Sequence, residues 1–122
     1  MAAARLRVLL VEDDVLISLL LQDMLDELDC DVADTPANLD EALLAARTGI
    51  FDLALLDLSL CKKLTYPVAD ILKTRQIPFI FVTGYGSADL DPSHTGSAVL
   101  AKPFRFEDLQ AMIARVVPTR SS

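Results

Sequence analysis

Apolar runs of strand length alternate along this chain with stripes of helical spacing. Leu6 to Val11 contains the continuous run Val8-Leu9-Leu10-Val11, which stops abruptly at Glu12-Asp13-Asp14. A run of that length, apolar on both faces, reads as a buried strand. Val15 to Leu28 carries Leu16, Leu20 and Met24 on one side and Ile17, Leu21, Leu25 and Leu28 beside them, which is helical spacing. Cys30 to Ala33 predicts a short second strand. Asn38 and Glu41 stand at capping-box spacing ahead of Ala42-Leu43-Leu44-Ala45, so a second helix starts there and Gly49 ends it. Leu53-Ala54-Leu55-Leu56 predicts a third strand ending at Asp57, followed by a loop. Pro67 then suits the first turn of a third helix running to about Arg75. Pro78 to Val82 predicts a fourth strand ending at Thr83, and Ala98 to Ala101 a fifth ending at Lys102-Pro103. Arg105 to Val117 is the last helix, with Leu109, Met112, Ile113 and Val116 at helical spacing.

Between Tyr85 and Ser97 the pattern fails: Gly, Ser, Asp, Pro and His surround a single large aliphatic, Leu90. The helix that regular alternation would place there is expected to be short, frayed or absent. Strands alternating with helices imply an α/β fold, a doubly wound parallel sheet of five strands joined by right-handed crossovers. In such sheets functional residues collect at the carboxyl ends of the strands. Here those ends are Glu12-Asp13-Asp14, Asp57, Thr83 and Lys102, each polar and each directly after an apolar run.

Composition narrows the class. The 122 residues suit one domain over 1–118 with a loose tail at 119–122, and an apolar fraction of 52% argues against disorder. A formal net charge of −7 argues against nucleic acid bound through a basic face and against docking on anionic membranes. No apolar run is long enough to span a bilayer, and Met1 to Arg5 leaves no room for a signal peptide. Two cysteines, Cys30 and Cys61, make no disulfide framework, so the reducing cytoplasm is the expected home.

Carboxylates crowded at a strand mouth repel one another unless a cation or water sits among them. Oxygen donors from two strand ends suit Mg2+, which keeps several waters and often bridges to phosphate. Asp57, alone on its strand, is a candidate nucleophile toward a phosphoryl group. Transfer needs charge neutralised on the equatorial oxygens, and the cation, the Lys102 ammonium and the Thr83 hydroxyl offer one contact each.

Val11-Glu12-Asp13-Asp14, Leu56-Asp57, Val82-Thr83-Gly84 and Ala101-Lys102-Pro103-Phe104 together resemble the receiver domain of bacterial two-component response regulators, over nearly the whole chain. The resemblance implies a flavodoxin-like sheet of order 2-1-3-4-5. It implies Asp57 as phosphoacceptor, and Mg2+ held by Asp13, Asp57 and the Ser59 backbone carbonyl, with Glu12 acting through water. It also implies Lys102 on the acceptor or its phosphate, Thr83 as switch hydroxyl, and a cis peptide before Pro103. Phe81-Val82-Thr83-Gly84-Tyr85-Gly86 looks like an alphaproteobacterial subset, many of them single-domain regulators. Their donors are histidine kinases, often of the HWE or related types, or phosphotransfer proteins. Where typical receivers carry Tyr or Phe three positions before the lysine, this chain has Val99, and Tyr85 is the candidate replacement aromatic.

Plainer readings stand beside these. Glu12-Asp13-Asp14 could be a solvated turn capping the first helix with negative charge. His94 reads as a solvated loop residue and Cys61 as an ordinary free thiol. The apolar load of the first helix fits either deep burial or a surface for a partner. A flavin-binding electron carrier is disfavoured, because three acids stand where a phosphate loop would be. A phosphatase of the dehalogenase type would want an acid where Ser59 stands. A pseudo-receiver serving only as an interaction module would not need Glu12, Asp13, Asp57, Thr83 and Lys102 all intact.

Overall fold

A computed structural model describes residues 5–84, 90–94 and 96–117. The elements run β1 (Leu6–Val11), α1 (Val15–Glu27), β2 (Cys30–Asp34), α2 (Leu39–Thr48), β3 (Leu53–Asp57), β4 (Ser59–Leu60), β5 (Lys63–Leu64), α3 (Tyr66–Thr74), β6 (Phe79–Thr83), β7 (Ala98–Ala101) and α4 (Phe106–Val116). Five parallel strands form the sheet in the order β2-β1-β3-β6-β7, which is 2-1-3-4-5 once the separate β4–β5 hairpin is set aside.

Alternation along the buried strands builds two cores. Leu9, Val11, Ala54, Leu56 and Phe81 face one side and pack against α2 and α3 through Ala42, Ala46, Val68, Ala69 and Leu72. Val8, Leu10, Leu53, Leu55, Ile80 and Val82 face the other and pack against Leu21 and Leu25 of α1 and Leu109 and Ile113 of α4. Helices on both faces explain why these strands have no polar side.

Caps set the helix starts. Asp14 Oδ1 accepts from the Leu16 and Ile17 amides at 2.9 and 3.1 Å, and Asn38 Oδ1 from the Glu41 amide at 2.9 Å. The return arm of the expected capping box lands one residue early: Glu41 Oε1 accepts from the Ala37 amide at 3.0 Å. Gly49 ends α2 with φ −76°, so its smallness matters rather than a left-handed dihedral: a Cβ there would collide with the Phe51 ring.

Two expectations are amended, for the loop after Asp57 and for His94, and the expectation of a short or absent helix between β6 and β7 agrees with the described residues. The loop after Asp57 holds the β4–β5 hairpin, turning through Cys61 and Lys62 at φ 51° and 67°. Two left-handed residues suit the tight turn of a two-residue hairpin, normally signalled by Asn or Gly rather than Cys-Lys. Between β6 and β7 the described residues form only a 3-10 turn, Pro92–His94, so no full helix stands among them. His94 is buried rather than solvated, at 4% exposure, because it stacks on Tyr66 and hydrogen-bonds Asp70. Tyr85 and the tail at 119–122 lie outside the described residues.

The apolar excess of α1 is exposed. Leu21 and Leu25 are buried, whereas Val15, Leu16, Leu19 and Leu20 are 52–78% exposed. Among the described residues no helix is long and apolar enough to cross a membrane. Core and surface leucines should therefore separate on truncation. Leu9→Ala, fully buried, should cost about 2–5 kcal/mol. Leu16→Ala should stay within about 0.5 kcal/mol. Urea unfolding midpoints check this, and equal losses would contradict the assignment of the two faces.

Candidate functional site

Parallel pairing carries the polar strand ends to one rim. Val11 pairs with Leu56, Asp57 with Val82 and Thr83 with Ala101, so the carboxyl ends of β1, β3, β6 and β7 emerge side by side. The Lys102 amide donates to the Thr83 carbonyl at 2.8 Å, extending the β6–β7 ladder to the lysine itself. The Lys102–Pro103 peptide is cis, as the resemblance implied.

Glu12, Asp13 and Asp57 each place a carboxylate oxygen within 4.8 Å of the others. Lys102 Nζ lies 3.3 Å from Glu12 Oε1 and 3.6 Å from Asp57 Oδ2. Glu12 is almost sealed, its side chain 2% exposed, while Asp57 is 13% exposed and Asp13 opens to solvent. Three clustered carboxylates face one ammonium, an excess of negative charge with hard oxygen donors. That donor set fits Mg2+. Asp14 stays apart, because its Oδ1 caps α1.

Asp57 shows the stress of this crowding. Its carboxyl is raised from 3.8 to about 7, first by burial and then by the negative charge of Glu12, with Lys102 and the Ser59 amide pulling the other way. The fold therefore holds a proton that the unfolded chain would release. Ionising Asp57 costs stability as pH climbs from about 4 through about 7, and a bound cation offsets that cost.

The remaining expected residues fall nearby. Thr83 ends β6, 3% exposed, on the strand next to Asp57. Ser59 meets Asp57 through its amide, 3.4 Å from Oδ1. Two positioning contacts were not foreseen. The Cys61 amide donates to Asp13 Oδ2 at 2.8 Å, which is what the hairpin turn accomplishes. The Thr65 hydroxyl donates to the Asp57 carbonyl at 2.7 Å and lies 3.2 Å from the Leu58 carbonyl, fixing the backbone beneath Asp57. A backbone donor from a strained Cys-Lys turn leaves no residue-type signal, and a buried threonine before a helix reads as a cap.

A cavity of about 230 Å³ adjoins the acids, lined by Asp13, Val15, Leu19 and Pro36 among others. A larger one, of about 570 Å³, lies at the opposite rim beside Pro78 and Ala98, away from this chemistry.

The sequence model of the response regulator receiver domain matches residues 8–114. The transcriptional regulatory protein CiaR of Streptococcus pneumoniae is 36% identical over 116 residues, 88% of this chain. The chain spans about half of that relative's length, 50%. The solution structure of SdrG from Sphingomonas melonis Fr1 superposes with a TM-score of 0.83 at 33% identity, covering 95% of this chain and 99% of that one. The receiver domain of the sensor histidine kinase PA1611 from Pseudomonas aeruginosa PAO1, solved with magnesium in its active-site cleft, gives 0.80 at 26% identity, covering 94% and 99%.

Proton and cation should compete for Asp57. Calorimetric Mg2+ titrations on either side of pH 7 should show affinity falling by up to about tenfold per unit below it and levelling above. Asp57→Asn should flatten that slope, and an unchanged slope would assign the competing proton elsewhere.

Proposed function

The chain belongs to the response regulator receiver domain family, and from that premise we propose that it accepts a phosphoryl group on Asp57 from a phosphohistidine donor and switches partner binding in a phosphorelay. The observation that carries this is Lys102 Nζ within 3.6 Å of both Glu12 and Asp57, beside a three-carboxylate cluster at the strand ends.

An ionised Asp57 oxygen attacks phosphorus in line with the donor's P–N bond. The new P–O bond forms as the P–N bond breaks, and the electron pair leaves with the imidazole nitrogen. Asp13, Asp57 and the Ser59 carbonyl would hold Mg2+, with Glu12 acting through water, and the bound ion supplies neutralising charge to one phosphoryl oxygen. Lys102 leaves the Asp57 carboxylate for a second phosphoryl oxygen. The Thr83 hydroxyl donates to the third. The Cys61 amide and the Thr65 hydroxyl hold Asp13 and the Asp57 backbone still meanwhile.

Two charge-assisted hydrogen bonds, from Thr83 and Lys102, contribute about 3–6 kcal/mol. Inverting a 1:99 equilibrium needs about 5.5 kcal/mol. The phosphate is thus strong enough to drive a switch of that depth.

The donor is a histidine kinase, of the HWE or a related type, or a phosphotransfer protein. It docks on the exposed row Val15, Leu16, Leu19 and Leu20, next to the acids at the start of α1. That location places an incoming helix beside the acceptor rim, in the reducing cytoplasm where such donors act.

A small-molecule phosphodonor with Mg2+ tests the acceptor. Intact mass should rise by one phosphoryl group in the wild type and not in Asp57→Asn, and equal modification of both would refute the assignment. Leu16→Asp tests the docking row. It should slow transfer from a kinase that labels the wild type by tenfold or more while leaving small-molecule labelling intact, and equal slowing of both would place Leu16 outside the docking surface.

A further inference from the structure

The chain's single histidine has no part in that chemistry, yet it is buried and fully engaged. His94 Nδ1 lies 2.9 Å from Ser93 Oγ and Nε2 2.9 Å from Asp70 Oδ1 on α3. The ring stacks on Tyr66 at a centroid distance of 4.5 Å and meets Phe81 edge-on at 6.0 Å. The Tyr66 hydroxyl accepts from the Asp91 amide at 2.7 Å, and Leu90 is buried in the same core. Residues 90–94 are thus pinned to α3 by two polar contacts and one ring stack. Moving them away would break all of these together and strip a buried imidazole of its partners, which makes the arrangement two-state rather than graded.

The pinned residues also reach the acceptor rim by two described routes. Thr65, directly before Tyr66, donates to the carbonyl of Asp57 itself. Phe81, touched by both Tyr66 and His94, lies two residues before Thr83 on β6. Val99 pairs in register with Phe81 and is aliphatic, and the aromatic partners of Phe81 include Tyr66 and His94.

We propose that Tyr66, Asp70 and His94 form a latch that holds residues 90–94 against α3 in the unphosphorylated protein, and that occupation of the acceptor site releases it through Thr65 and Phe81. The inference rests on the phosphoacceptor reading and supplies its conformational switch. The three are positioning residues: none touches the reacting atoms. Because the latch favours the unphosphorylated arrangement, the phosphoryl group works against it, and weakening it should tighten binding of a phosphoryl mimic.

The test is beryllofluoride binding in the presence of Mg2+, followed by NMR titration, for wild type, Asp57→Asn, Tyr66→Phe, Asp70→Asn and His94→Ala. Tyr66→Phe removes one hydrogen bond while keeping the ring, and Asp70→Asn acts at an exposed side chain, so both report even if His94→Ala fails to fold. Each latch variant should bind several-fold to about tenfold tighter than wild type. The Tyr66→Phe/Asp70→Asn pair should gain less than the product of the single gains. A merely structural role would leave affinity unchanged or lower it, and either result overturns the latch. No binding by wild type would overturn the phosphoacceptor reading and the latch with it, whereas wild-type binding lost in Asp57→Asn but unaltered in the latch variants overturns the latch alone.

Discussion

Three carboxylates held within 4.8 Å of one another against a single ammonium are the constraint on which this molecule turns. Left to themselves such groups would separate or take up a proton, and Asp57 is raised to about 7, first by burial and then by the charge of Glu12. The fold prevents separation. Glu12 is fixed by the end of β1 and by the Asp14 amide, Asp13 by the Cys61 amide, and Asp57 by β3 and Thr65 beneath it. Negative charge is therefore concentrated at one rim, in the arrangement that the proposed cation and phosphoryl group would require.

Only a parallel sheet brings residues so far apart in sequence to one place cheaply. Lys102 and Glu12 are 90 positions apart, yet both follow a buried strand that points the same way. The two apolar cores bury β1, β3 and β6 on both faces, which opposes separation of their carboxyl ends. Apolar burial lies along the strands, and the candidate chemistry gathers at or just past their carboxyl ends. At the far side of β3, the aromatic cluster of Tyr66, Phe81 and His94 ties α3 to β6 just behind Asp57.

The sheet and its polar rim were legible because their signals are local. Runs such as Val8-Leu9-Leu10-Val11 announce buried strands, and a charged residue straight after such a run stands out. Among the described residues between β6 and β7, the short Pro92–His94 turn in place of a full helix agrees with the loss of apolar spacing there. What escaped was whatever depends on backbone conformation or on partners distant in sequence. The Cys61-Lys62 turn adopts left-handed dihedrals without the glycine or asparagine that would signal them. His94 looks solvated among Ser, Asp and Pro until Tyr66 and Asp70 arrive from α3. Burial of α1 could not be apportioned either, since Leu16 and Leu21 are alike as letters and 78% against 1% exposed in the fold.

A crystal structure grown with Mg2+ and beryllofluoride examines the rim most directly. The ion should sit about 2.0–2.1 Å from oxygens of both Asp13 and Asp57. The beryllium should be bonded to the other Asp57 oxygen, with Lys102 Nζ and Thr83 Oγ each on a fluorine. Metal bound away from Asp13 and Asp57, or Lys102 still paired with Glu12 and touching no fluorine, would contradict the reading of this rim as a phosphoryl acceptor.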